Sequence, residues 1–129
     1  MSIEKAIYST LATATGVAAL VSTRIYPSHL PQETALPAIS FSRASTVRTT
    51  AMDADPGLVR ARIQVSCWDD DYSDTRDIAD QVRSALQRFR GTAASIVVQD
   101  TFLESEIDTY DPATETYHAA LGFDVIYEE

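Results

Sequence analysis

The chain has 129 residues, a length that suits one domain, residues 1–129, burying roughly two thirds of its unfolded surface without metal or disulfide. Cys67 is the only cysteine, which excludes an intrachain disulfide and points to a reducing compartment. The formal charge of −9 comes entirely from residues 91–129, with nine acids and no Lys or Arg, because residues 1–90 balance ten acids with ten bases; a chain so charged is a poor candidate for gripping nucleic acid through its phosphates.

Ser2 can cap a first helix in which Ile3, Ile7 and Leu11 recur every fourth residue and Ala6 and Ala14 widen the stripe. Gly16 is expected to end or kink it, and Val17–Val21 to add a short second helical turn. Ser9, Thr10, Thr13, Thr15 and Gly16 interrupt the uncharged run 6–23, so it suits neither a signal peptide nor a membrane span, and a cytoplasmic chain is expected. In RIYPSHLPQETALP, Pro27, Pro31 and Pro37 forbid regular helix and predict an extended loop. AISFSRASTV sets Ile39 and Phe41 against Ser40 and Ser42 and predicts a first strand over about 38–47.

The polar RTTAMDADPG closes on Pro56 and Gly57 and predicts a hairpin loop. Arg48, Met52, Asp53 and Asp55 mark it as flexible in a free subunit and ordered within an assembly. From Val59 to Cys67 every second residue is apolar or small, with Arg60, Arg62, Gln64 and Ser66 between, the period of a half-buried strand. Cys67 falls on the apolar side, where a small core residue is expected rather than a nucleophile. After Asp69–Asp71 the spacing becomes helical at Ile78, Val82, Ala85, Leu86 and Phe89. It predicts a helix over about 73–89, capped by Ser73 or Asp74, with Arg83, Arg88 and Arg90 toward its end and Gly91 beyond. ASIVVQDTFLESEI and TYHAALGFDVIYE predict two more strands, turned at Asp111 and Pro112. The sum is an α+β fold: a mixed or antiparallel four-stranded sheet with two helices packed on one face, and Ile63, Val65, Val82, Leu86 and Phe123 in the core.

Little of this carries catalytic chemistry. Asp69, Asp70, Asp71 and Asp74 resemble the start of a calcium loop, but the sixth position lacks Gly and the twelfth is Asp80 rather than Glu, so solvated acids before a helix N-terminus are the better reading. His29 and His118 have no His or Cys at ligand spacing, and His118 is expected on the wetter side of its strand. No nucleophile elbow, phosphate-binding loop or dinucleotide fingerprint occurs. Glu104 and Glu106 form a carboxylate pair of the kind that chance supplies in an acidic chain. No enzyme activity and no cofactor are expected. Arg60 and Arg62 share a strand face, where they are solvated, or paired with acids of a neighbouring strand, or present a basic patch to another subunit.

Taken together, LPAISF after a proline-broken loop, ARIQVSCWDDDYSDTRDIADQVRSAL and the closing YHAALGFDVIYEE resemble the tail completion or tail terminator proteins of long-tailed phages and prophages, in the family's order and over nearly the whole chain. The strand ending in a small residue and Trp68, then acids, Tyr72 and a helix with Ala79, Val82 and Leu86, is the most telling part. The resemblance implies a ring, usually a hexamer, in the virion at the head–tail joint, assembled in the host cytoplasm. It would stop growth of the tail tube and meet the tail tube protein and the head–tail connector proteins, with no membrane and no specific nucleic-acid contact.

A ring needs two different complementary surfaces, which the uneven charge offers. Arg60, Arg62, Arg83 and Arg88 are expected to meet acids of the next subunit, among Asp69, Asp70, Asp71, Glu128 and Glu129, with Trp68 beside them. The acidic last third would line a passage for DNA, repelling the duplex so that it slides. The alternatives are a head-side completion protein (stopper or adaptor) or a small α+β ligand-binding domain, which needs a deep pocket with convergent polar groups.

Overall fold

A computed structural model describes residues 3–21, 24–27, 36–48, 58–94, 96–113 and 115–128. In chain order the elements are α1 (Ile3–Thr13), α2 (Thr15–Val21), β1 (Ile25–Pro27), β2 (Ala38–Arg48), β3 (Leu58–Asp69), α3 (Tyr72–Leu86), β4 (Gly91–Ala93), β5 (Ile96–Asp111) and β6 (Thr116–Glu128). The strands form one sheet in the order β1-β2-β3-β6-β5-β4, antiparallel except for β1 beside β2. The α+β class and mixed sheet follow the sequence pattern, but among the described residues there are six strands rather than four and three helices rather than two.

The two additional strands are three residues each and border the sheet. Ile25 pairs with Ile39 inside the stretch read as loop. Its three prolines exclude helix, but Pro27 is only the last residue of an edge strand, a place that needs no N–H donor. Arg24 ties this edge down: its Nε donates to the Pro37 carbonyl at 2.7 Å and its carbonyl accepts from Ile39 N at 2.9 Å. At the other border Gly91–Ala93 pairs with Ile96–Val98, so Gly91, with φ of 138°, opens a strand instead of ending a helix.

α1 buries Ile3, Ala6, Ile7 and Leu11, the expected stripe. It touches both border strands, β1 and β4, so the sheet curls around the helical layer. The break between α1 and α2 falls at Ala14. Gly16 lies within α2 rather than at the break, and the flexible end of the exposed Gln81 side chain of α3 fills the space a Cβ would take. α3 begins at Tyr72, one residue earlier than expected, and its cap is Asp71 rather than Ser73 or Asp74; the Asp71 carboxylate accepts from Asp74 N at 3.2 Å. It ends at Leu86, after which Arg88 takes a left-handed φ of 61° and its N–H donates to the Thr101 carbonyl at 2.7 Å.

The core lies between the helices and the inner face of β3 and β6, where Ile63, Val65, Cys67, Leu121, Phe123 and Val125 are fully buried against Ile78, Val82 and Leu86. The β3–β6 pairing is unbroken, while the flanking ladders bulge at Arg43/Ser45, Val98/Asp100 and Leu103/Ser105. Bulges increase local twist and help the outer strands curl. Burial pushes the Cys67 thiol far above its ordinary range, as a core residue requires. Leu86→Ala should lower the unfolding free energy by about 2–5 kcal/mol, measured by denaturant melts, because it empties the contact between α3 and the sheet.

Candidate functional site

With the inner face filled, the groups free to meet a partner lie on the outer sheet face, at the sheet edges and around the N-terminus of α3. On the outer face Trp68 lies flat against His118, ring centroids 4.1 Å apart with planes 3° from parallel, and its Nε1–H donates to Ser40 Oγ at 3.1 Å. Burial lowers the His118 pKa, so a neutral imidazole makes this stack. His118 is therefore on the face opposite the helices but half-covered rather than wet. Farther along the same face the Arg62 guanidinium meets Asp124 of the adjacent strand at 2.6 Å, the local pairing considered for it, and Arg60 is exposed with no ion-pair partner among the described residues.

The remaining candidates are dispersed. Asp69 is almost fully buried at the end of β3, Asp70 is exposed, and Asp71 caps α3. Arg88 pairs with Asp100 at 3.0 Å and lies over the Phe102 ring, while Arg90 reaches the same carboxylate at 3.2 Å. Partial burial pushes the Asp100 carboxyl up, but the Thr101 N–H and the two arginines outweigh it and hold the carboxyl below its ordinary range. Arg83 makes a loose exposed contact with Asp80 at 3.8 Å. Glu128 is exposed at the far end of β6, opposite Leu58. Arg48 belongs to the end of β2 rather than to the loop, while Met52, Asp53, Asp55 and Glu129, like Ser2 and His29, lie outside the described residues.

One cluster escaped the sequence reading. Arg76 donates to Asp108 at 2.9 Å and Glu106 at 3.2 Å, and Tyr72 OH donates to Asp108 at 2.9 Å. The rings of Tyr72 and Tyr110 both pack on Tyr117. The signal was present, since Arg76 is the one base in the run Asp69–Asp80. It fastens the start of α3 to the outer half of β5.

The cluster rims a small open pocket of about 170 Å³ among Tyr72, Asp108, Tyr110, Tyr117 and His118. Among the described residues no three His, Cys, Asp or Glu side chains are placed to hold a metal ion. An open depression lies between α1 and the β1–β2 border, lined by Glu4, Lys5, Tyr8, Pro27 and Phe41 and mostly apolar at its surface. No described helix is long and apolar enough to cross a membrane.

The sequence model of the family described as "Tail completion protein gp17" matches residues 5–128. The chain belongs to the tail completion protein gp17 family. No curated protein sequence matches it. Among solved structures, a chain of the virion of a native gene transfer agent (GTA) particle superposes with a TM-score of 0.84 at 15% identity, over 99% of this chain and 96% of that one. The two share a fold from end to end. Its family makes it a tail completion protein.

In this tail completion protein Asp69 is the strained acid. Burial raises its carboxyl above the ordinary range, although the Asp70 N–H bond at 2.7 Å opposes the rise. A raised folded-state pKa means that the native state holds the proton more tightly, so stability falls as pH climbs from about 3.9 through the raised value. Asp69→Asn keeps an oxygen for the Asp70 N–H and removes the charge. It should raise the melting temperature by a few degrees at pH 7 and by nothing at about pH 3, in paired thermal melts.

Proposed function

We propose that this protein forms the ring, six copies in the simplest case, that closes the tail tube, ends its growth and joins it to the head connector. The match to the tail completion family over residues 5–128 is the observation that supports this most, because it spans the whole sheet, α2, α3 and all of α1 but its first two residues. The gene transfer agent chain adds support, as a fold of the same extent in a virion. Each subunit acts as one domain, and its contribution is geometric, with no chemical step.

Charge placement fits the same role. The acids of the last third stand mostly on the outer half of β5 and its hairpin, at Glu104, Glu106, Asp108, Asp111 and Glu115. Turned toward a passage, they repel a duplex instead of holding it. Arg60, Asp70, Arg83 and Glu128 are exposed and available to a neighbour, whereas Arg62 and Arg88 already hold carboxylates of their own subunit. Exposed ion pairs contribute about 0–1 kcal/mol each, so the free subunit should associate weakly.

Deleting the gene tests the proposal in the particle. Filled heads and unjoined tails, many of abnormal length, are the outcome expected by electron microscopy, and normal joined particles would contradict it.

A further inference from the structure

The sheet borders are short, and each leaves a long stretch of its neighbour uncovered. β1 covers Ile39–Phe41, so Ser42–Arg48 of β2 has no strand partner on its outer side among the described residues. β4 covers Ile96–Val98; beyond it the Thr101 carbonyl accepts from Arg88 N and Leu103 N donates to Gln87 Oε1, and Ser105–Tyr110 has no strand beside it among the described residues. Folded proteins usually blunt such edges, because an open row of N–H and C=O groups is a template for another strand. These two edges instead each carry a large exposed apolar side chain, Val47 at 63% and Ile107 at 61%. Val47 lies opposite Arg60, and Ile107 opposite Ala120, so both point to the outer face of the sheet.

The edges differ in charge. The β2 arm bears Arg43, Arg48 and the adjacent Arg60, with no acid in Ser42–Arg48, and Arg43 is paired to Glu4 of α1. The β5 edge bears Glu104, Glu106, Asp108 and Asp111 against the single Arg76. An edge that pairs with its own copy about a two-fold axis would set acid against acid or base against base, a cost that unlike edges avoid.

Resting on the ring proposed above, we infer that neighbouring subunits join edge to edge, the β2 edge of one copy pairing with the β5 edge of the next, so that the sheet continues around the ring. The contact is heterologous, as closure into a ring demands. Continuation of the sheet keeps Val47 and Ile107 on a common face, where they cover each other. A few residues of pairing per joint bury little surface, so the subunit should assemble only when concentrated or docked.

Thiol cross-linking tests this on the full-length protein, because buried Cys67 gives no background. With a short bismaleimide, a mixture of Val47→Cys and Ile107→Cys subunits should give a covalent dimer, and the double variant a ladder ending at the ring. Either single variant alone should stay monomeric on the gel. Ile107→Cys linking to itself would show a two-fold contact and overturn the inference. A double variant that assembles by light scattering without a ladder would overturn it too, while leaving the ring proposal standing. If the protein fails to assemble at any concentration and the gene deletion leaves joined particles, both fall. As a second variant, Val47→Asp sets an acid against the acidic edge and should raise the concentration needed for assembly roughly tenfold with the melting temperature unchanged. Assembly unaffected by Val47→Asp would contradict the inference.

Discussion

The pairing of β3 with β6, from Leu58 opposite Glu128 to Asp69 opposite Tyr117, is the constraint on which the rest of the molecule depends. It has no bulge, so the alternation of side chains is kept along its whole length: every inward position feeds the core and every outward one the opposite face. A slip of one residue would exchange Ile63 and Val65 for Arg62 and Gln64 against the helices, a change that burial energetics forbids. With that ladder fixed, β2 and β5 take their places on either side, and their bulges let them curl until both borders meet α1.

The same constraint divides the charge. Arg62 and Asp124 are cross-strand partners on the outer face, so that part of the basic strand is satisfied within the subunit. Arg76, Arg88 and Arg90 likewise tie α3 and its exit to β5 through Glu106, Asp108 and Asp100. What has no ion-pair partner among the described residues is Glu104 and Asp111 of β5 on one side and Arg60 of β3 on the other. A formal charge of −9 concentrated in the last third thus becomes a polarity of the subunit from one sheet edge to the other.

The central strands and α3 were legible in the sequence because their apolar periods, two and then roughly four, are strong and bounded by turn residues. Ile63, Val65, Val82, Leu86 and Phe123 are buried as that pattern requires. β1 and β4 were not legible: three residues give no period, and their pairing is a matter of backbone hydrogen bonds that Pro27 and Gly91 do not advertise. The cap of α3 falls two residues before Ser73 and three before Asp74, because several neighbouring Asp and Ser side chains can serve and only the fold selects Asp71. The sequence offers Arg60, Arg62, Arg83 and Arg88 alike to acids of a neighbouring subunit, whereas the fold pairs Arg62 with Asp124 and Arg88 with Asp100 of the same subunit. The Arg76 cluster needed the fold as well, since its carboxylates lie some thirty residues away in sequence.

The central claim is that a rigid β3–β6 ladder carries two open edges that become strands of a continuous sheet on assembly. Residue-resolved hydrogen exchange on dilute protein and on the assembled ring tests it most directly. The account predicts equal, slow exchange for β3 and β6 amides in both states, and a marked slowing confined to outward amides of Ser42–Arg48 and Ser105–Tyr110 in the ring. Assembly with both edges exchanging as fast as in the free subunit would contradict it.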